Sequence, residues 1–215
     1  MEYLPLSRRL ELHGLWLKSY GAEGVRLDLM GQSVRGIDMH DAVLVGARLI
    51  NTDLRDTNLV GSNLIGSDLT GADLRGAQLS GADLSVTSLR GTQFRGAKLD
   101  KANLQGAKLR FVDLQEASLI EVNLEGADLM GAELSGVDMS RAKLRGAILS
   151  GADLRGTILT GTDFRFADLL GVSLGGATVD QDTNFVDAKV DADIFKHVDL
   201  TLMEEQHLPT SLRTK

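Results

Sequence analysis

One feature of this chain leaves few folds open to it: an apolar residue recurs at every fifth position, without a break, for most of its length. From Leu29, stepping by five, every residue up to Val179 is apolar, which makes 31 consecutive pentads. Two places before each of these, from Ala42 to Ala177, all 28 residues are Ala, Ser, Thr or Val. The residue between the two is often Asp or Asn, as in Ala72-Asp73-Leu74 and Ala102-Asn103-Leu104. Glycine frequently closes the unit, as at Gly61, Gly66, Gly71, Gly76 and Gly81.

A period of five suits neither an α-helix at 3.6 nor a flat strand at 2. A helix with glycine at every fifth position would lose about 1 kcal/mol at each one. The pattern predicts a chain that turns a corner once per pentad, with two side chains facing in and three facing out. Four corners close a square coil, and stacked coils pair through backbone hydrogen bonds at about 4.8 Å. The core is then a set of leucine columns, which agrees with a composition of only nine aromatic residues against 24 glycines. Over residues 27–179, and in a second stretch shifted by one residue, this gives a rod of order 40 Å.

The unit resembles A(D/N)LXX, the repeat of the pentapeptide-repeat protein family. The resemblance covers residues 27–179 in strict register. It resumes at Thr183-Asn184-Phe185, Ala188-Lys189-Val190, Asp193-Ile194-Phe195 and Val198-Asp199-Leu200. Val179 to Phe185 is six residues, so a small bulge is expected there. The resemblance implies an all-β solenoid, a right-handed quadrilateral β-helix over 27–200. An N-terminal helical cap is expected over 1–26, and a C-terminal helix and tail over 201–215.

An open solenoid end invites aggregation unless it is covered. Pro5 marks the entry to an N-terminal helix over 5–18, Ser7 is a candidate N-cap, and Leu6, Leu10, His13 and Leu17 share a face. Gly14 weakens this helix. Trp16, the only tryptophan, is expected to lie across the first coil as a lid. At the other end, Thr201-x-x-Glu204 reads as a capping box opening a short helix through Leu208, stopped by Pro209. The resemblance implies a homodimer through this end, with Phe195, Leu202, Met203 and Leu208 in the interface; the competing reading is a plain monomer cap.

Formal charge is −7 with pI near 5.1, which disfavours direct contact with nucleic acid phosphates. No run approaches the roughly 18–20 apolar residues of a membrane span, and the first 30 residues contain no signal-peptide core. Cysteine is absent, so disulfides, thiolate metal sites and cysteine nucleophiles are excluded, and the expected location is cytoplasmic. The four histidines lie apart, with no neighbour at metal-ligand spacing. A ladder of outward carboxylates has no cleft to exclude water. No catalytic residue, cofactor or metal is expected.

Residues 20 apart sit above one another. On one face the residue after the central leucine reads Arg35, Arg55, Arg75, Arg95, Gln115, Ser135, Arg155. Beside it run Asp53, Asp73, Gln93, Asp113, Glu133 and Asp153. Each arginine can pair with a neighbouring carboxylate, and with Asp56 and Glu116 the face sums to −2. The family's best-known activity is protection of DNA gyrase and topoisomerase IV by imitation of DNA. The resemblance thus implies a protein partner of that kind, with Asp53, Asp73, Asp113, Glu116, Glu133 and Asp153 standing in for phosphates. This chain lacks the projecting loops of several resistance members. The alternative is a scaffold or regulator for another partner, using an apolar patch of Val43, Val45 and Ile65 or the C-terminal helix. Ile120, Ile148 and Ile158 form a looser apolar set. Phe111 and Phe166 replace the closing glycine and are expected to pack over a corner.

Overall fold

The computed structural model describes residues 4–212. The chain forms a β-helix solenoid in which each coil contributes four one-residue parallel bridges rather than long strands. Bridges join residue i to i+20, from Asp28↔Arg48 and Ser33↔Asp53 onward. The four ladders define four faces. Face 1 runs through Asp28, Arg48 and Asp68; face 2 through Ser33, Asp53 and Asp73; face 3 through Asp38 and Asn58; face 4 through Val43 and Asn63.

The hydrogen bonding explains the period. Leu29 N–H donates to the Arg48 carbonyl at 2.8 Å, and Arg48 N–H donates back to Leu27 at 2.9 Å. Gln32 N–H closes the corner on the Leu29 carbonyl at 2.9 Å, and Gly31 N–H reaches the next coil at Ile50, also at 2.9 Å. The same set recurs along the rod, so backbone groups next to the core find partners in the adjacent coils. The central residues and the small residues two places earlier are buried from Ala47 to Ala188. Where the small residue is Thr its hydroxyl is satisfied by a core carbonyl, as is that of Ser62, whereas the buried Ser67 hydroxyl has no partner among the described residues. Thr52 donates to Leu29 of the coil below at 2.8 Å, and Thr57 to Leu54 of its own corner at 2.6 Å.

The extra residue after Val179 falls where the register shift predicts. The last two bridges, Asp163↔Asn184 and Asp168↔Lys189, span 21 residues instead of 20. There Phe164 and Phe185 stack at 4.9 Å, and Phe195 meets Phe185 edge-on at 5.1 Å. No ladder bridge includes the triplets ending at Phe195 and Leu200.

Helix α1, Leu6–Lys18, starts at Pro5, whose φ of −54° suits a helix entry, and no side chain caps it. Ser7 therefore lies inside the first turn and is not the N-cap. Leu6 and Leu10 pack on the core, and His13 is fully buried. The His13 Nδ1 atom accepts the Leu27 N–H at 3.1 Å, and its ring stacks on the half-buried Trp16 at 5.6 Å. Gly24, at φ +73°, lets the chain pass under α1: a Cβ there would lie 2.2 Å from the Leu12 carbonyl oxygen.

Burial pushes the His13 pKa below its ordinary 6.5, an effect that the Val45 backbone opposes and the Arg26 charge reinforces. The neutral ring is therefore the folded form. Its contribution to stability is fully present above pH 6.5 and lost as pH falls through the lower folded-state value. Trp16 emission should report loosening of α1 as pH falls below 6.5, and His13→Leu should remove that pH dependence.

The C-terminal segment departs from the helix expected over 201–208. It forms two short 3-10 turns, Glu205–His207 and Thr210–Leu212, and Glu204 precedes the first with no side-chain cap. So few residues before Pro209 cannot offset the cost of helix nucleation. The segment instead lies over the last coil: Gly176 N–H donates to His197 at 3.1 Å, and Phe185 N–H to His207 at 2.8 Å.

Candidate functional site

On face 2 the charge lattice is tightly closed. Arg55 grips Asp53 with two bonds of 2.8 Å; Arg75 grips Asp73 at 2.8 and 2.6 Å; Arg155 grips Asp153 at 2.9 and 2.6 Å. Bidentate pairing fixes both members. Hydrogen bonds from the Arg55 side chain hold the Asp53 carboxyl well below the ordinary range despite partial desolvation. The Arg155 side chain acts in the same way on Asp153. Three of the six candidate phosphate stand-ins thus face solvent with a guanidinium attached.

The other three lie where the arginine column is interrupted by Gln115 and Ser135. Asp113 accepts the Gln115 backbone N–H at 3.0 Å, and Glu133 accepts the Gln115 side chain at 3.3 Å. Exposed Glu116 lies 3.3 Å from Arg95. The acidic character of this face is therefore concentrated in one segment.

Of the predicted apolar patch, Val43 is 51% exposed, while Val45 and Ile65 are half-buried. At the C-terminal end Phe195, Met203 and Leu208 are half covered by their own chain, and Leu202 is open at 67% exposure.

The most unusual outward residues are at the corners. The closing position of each pentad has a left-handed backbone, with φ near +65° at most glycines. Val86, Phe111 and Phe166 occupy it at φ +49°, +57° and +61°. This conformation costs an L-residue roughly 1–2 kcal/mol, and a β-branched side chain suffers most. These three side chains nonetheless remain 60%, 58% and 49% exposed. Several corner side chains lie over a glycine of the next coil, which leaves them room. A Cβ on Gly131 would lie 2.8 Å from the Phe111 ring, and one on Gly106 would lie 3.4 Å from Val86. Where three side chains follow one another on a corner, charges alternate: Glu121 bridges Lys101 at 3.9 Å and Arg141 at 3.0 Å.

Val86 and Phe166 border face 1 on the side where the chain enters it, and Phe111 borders it where the chain leaves. Between them face 1 presents exposed Ile148 and Leu170 and half-buried Met130. Beside these, a shallow depression of about 400 Å³ is lined by Thr70, Ser88, Arg90, Lys108, Arg110 and Asp128. Arg145 stacks on the Phe166 ring at 5.1 Å. Exposed aromatic residues beside arginines are the composition of interface anchors. Reading adjacent pentads alone missed this grouping. The available signal was the substitution of a closing glycine by a bulky apolar residue, read with the 20-residue coil. Among the described residues, no cluster of acidic or histidine side chains could hold a metal ion. No helix among these residues is long and apolar enough to cross a membrane.

A β-helix solenoid whose departures from the repeat lie largely on its outer corners and faces defines a repeat protein that presents long outer surfaces. The Pentapeptide repeats model matches in eight copies, over residues 37–76, 47–85, 77–110, 107–146 and 147–181. The chain belongs to the pentapeptide repeat family.

Among solved structures, it is 30% identical to HetL, a pentapeptide repeat protein involved in heterocyst differentiation regulation from the cyanobacterium Nostoc sp. strain PCC 7120. That match covers 82% of this chain and 93% of HetL at a TM-score of 0.29. It is 31% identical to Rfr23 from the cyanobacterium Cyanothece 51142, over 46% of this chain and 64% of that one, less than two thirds of its length, at a TM-score of 0.41. QnrB1, a plasmid-mediated fluoroquinolone resistance protein, is 21% identical over 72% of this chain and 90% of its own, at 0.43. Among curated proteins, none matches.

Proposed function

We propose that this chain is a non-enzymatic interaction scaffold of the cytoplasm, a rigid rod that holds a protein partner along face 1. The observation that carries the reading is the set of Val86, Phe111 and Phe166: exposed apolar side chains kept at backbone positions where glycine is less strained. Strain held at an exposed site points to function rather than folding. Glycine at all three positions should leave the coil folded and remove the partner recovered with the wild-type protein from host cells. The family resemblance supports a right-handed coil closed by a helix at the N-terminal end. A homodimer through the C-terminal end draws support from Leu202, but Phe195, Met203 and Leu208 are already half covered, so this contact is the lesser part of the reading.

A second reading, DNA mimicry toward a type II topoisomerase such as DNA gyrase or topoisomerase IV, is favoured by the segment of Asp113, Glu116 and Glu133. There the arginine column breaks, and carboxylates face solvent without a bidentate guanidinium. Duplex DNA carries one charge per about 1.7 Å of axis, far denser than this face, and the paired Asp53, Asp73 and Asp153 add little net field. A gyrase supercoiling assay with and without ciprofloxacin separates the two. The scaffold reading expects no effect up to tens of micromolar protein at about 0.1 M salt. Inhibition or rescue that is lost on reversing Asp113, Glu116 and Glu133 to lysine would establish mimicry instead.

A further inference from the structure

Where α1 crosses the first coil it does not seal it, and the gap is built into the sequence. On face 2 the inward small-residue column reads Thr52, Ala72, Thr92, Val112, Ala132, Ala152 and Val172, all buried. In the first coil the same position holds Gln32, which is too large for it and is half exposed. Its amide oxygen accepts from the Arg9 guanidinium at 2.8 Å, while Arg9 also donates to the Asp28 carbonyl. Helix and coil are thereby propped apart around a cavity of about 530 Å³.

Its apolar lining comes from Leu12, Val25, Leu27 and Met30, and Arg9, Arg26 and Arg48 line it as well. Against these three guanidiniums stands one carboxylate, Asp28, already engaged by Arg48 at 2.9 Å and by the Met30 N–H at 3.0 Å. A chain with a net charge of −7 thus gathers positive charge around an apolar hollow. Among the described residues Arg26 hydrogen-bonds through its Nε, to the Gly46 carbonyl at 2.5 Å, out of five donors. The volume falls within the roughly 300–1,000 Å³ of small-molecule sites, and guanidinium matches carboxylate in geometry.

We propose that this cavity binds a small amphipathic carboxylate, an apolar body of acyl-chain size with one anionic head held by the arginines. The site takes in Asp28 and Arg48, the first members of the face 1 ladder, but does not depend on the corner residues Val86, Phe111 and Phe166. The protein carries its own reporter: the Arg26 guanidinium lies 6.0 Å from the ring of Trp16, the only tryptophan.

Octanoate is the probe, with octylamine and octanol as controls of equal chain length. Octanoate should shift Trp16 emission saturably below about 10 mM, with octylamine and octanol at least about tenfold weaker. Gln32→Glu, which puts a carboxylate against Arg9, should weaken octanoate about tenfold, as should Arg48→Gln. Thermal unfolding by circular dichroism identifies a variant that fails to fold, and the other variant then decides. Equal response to octanoate and octylamine, no response to octanoate, or undiminished binding in the folded variants would overturn the proposal.

Discussion

Phe164→Ala is expected to destabilise the protein by about 3–5 kcal/mol, and Phe164→Leu by about 1 kcal/mol. Phe164 is fully buried in a column whose preceding member is Leu144, and its ring stacks on Phe185 at 4.9 Å. Alanine leaves a cavity between coils that cannot collapse, because the backbone ladder fixes their spacing. Leucine restores the residue that the column holds elsewhere and loses only the ring contact. The damage should be local at first, since a solenoid coil contacts only its neighbours. Phe185 carries the edge contact to Phe195, so the segment from Asn184 to the C-terminal turns should lose amide-exchange protection before the coils around Leu64. Chemical denaturation with hydrogen exchange checks both parts. A cost below about 1 kcal/mol for alanine would show that the aromatic column does not secure this end.

The triple variant Val86→Gly, Phe111→Gly, Phe166→Gly should be as stable as the wild type or more so, while partner binding falls by well over tenfold. Relief of left-handed strain is worth roughly 1–2 kcal/mol per site, and the added freedom of the unfolded chain takes back about 0.4–1 kcal/mol. Val86→Gly alone should therefore stabilise. Phe111 and Phe166 also lose packing on Gly131 and the Arg145 contact, the latter worth about 0.5–1 kcal/mol, so their net change is near zero. Binding behaves differently, because truncating an aromatic anchor typically costs about 2 kcal/mol or more. Most single substitutions that abolish binding by disrupting a fold lower stability as well. This one separates the two effects.

The core was legible in the sequence because a five-residue period admits one backbone solution, and each inward residue then has a known neighbour 20 places on. The slip to 21 residues before Phe185 followed from the same count. The pairing of Arg55 with Asp53 was visible too, since both leave the same edge of a pentad. What the pattern does not encode is how the ends are covered. Thr201-x-x-Glu204 carries a helix-start signal, yet contacts with the last coil through His197 and His207 hold the chain in turns. Val45 reads as exposed until α1 brings His13 against its backbone. The corner residues were individually visible as missing glycines. Their meaning depended on left-handed φ values and on face 1 lying between the two corners, which no local window shows.

The measurement that bears most directly on the account pairs thermal unfolding with quantitative recovery of crosslinked partner protein from host cells, for the wild type and the triple glycine variant. The expected result is an unfolding temperature equal to or above that of the wild type, together with loss of the partner. A variant that unfolds several degrees lower, or one that retains its partner undiminished, would contradict the claim that these corner side chains serve binding rather than folding.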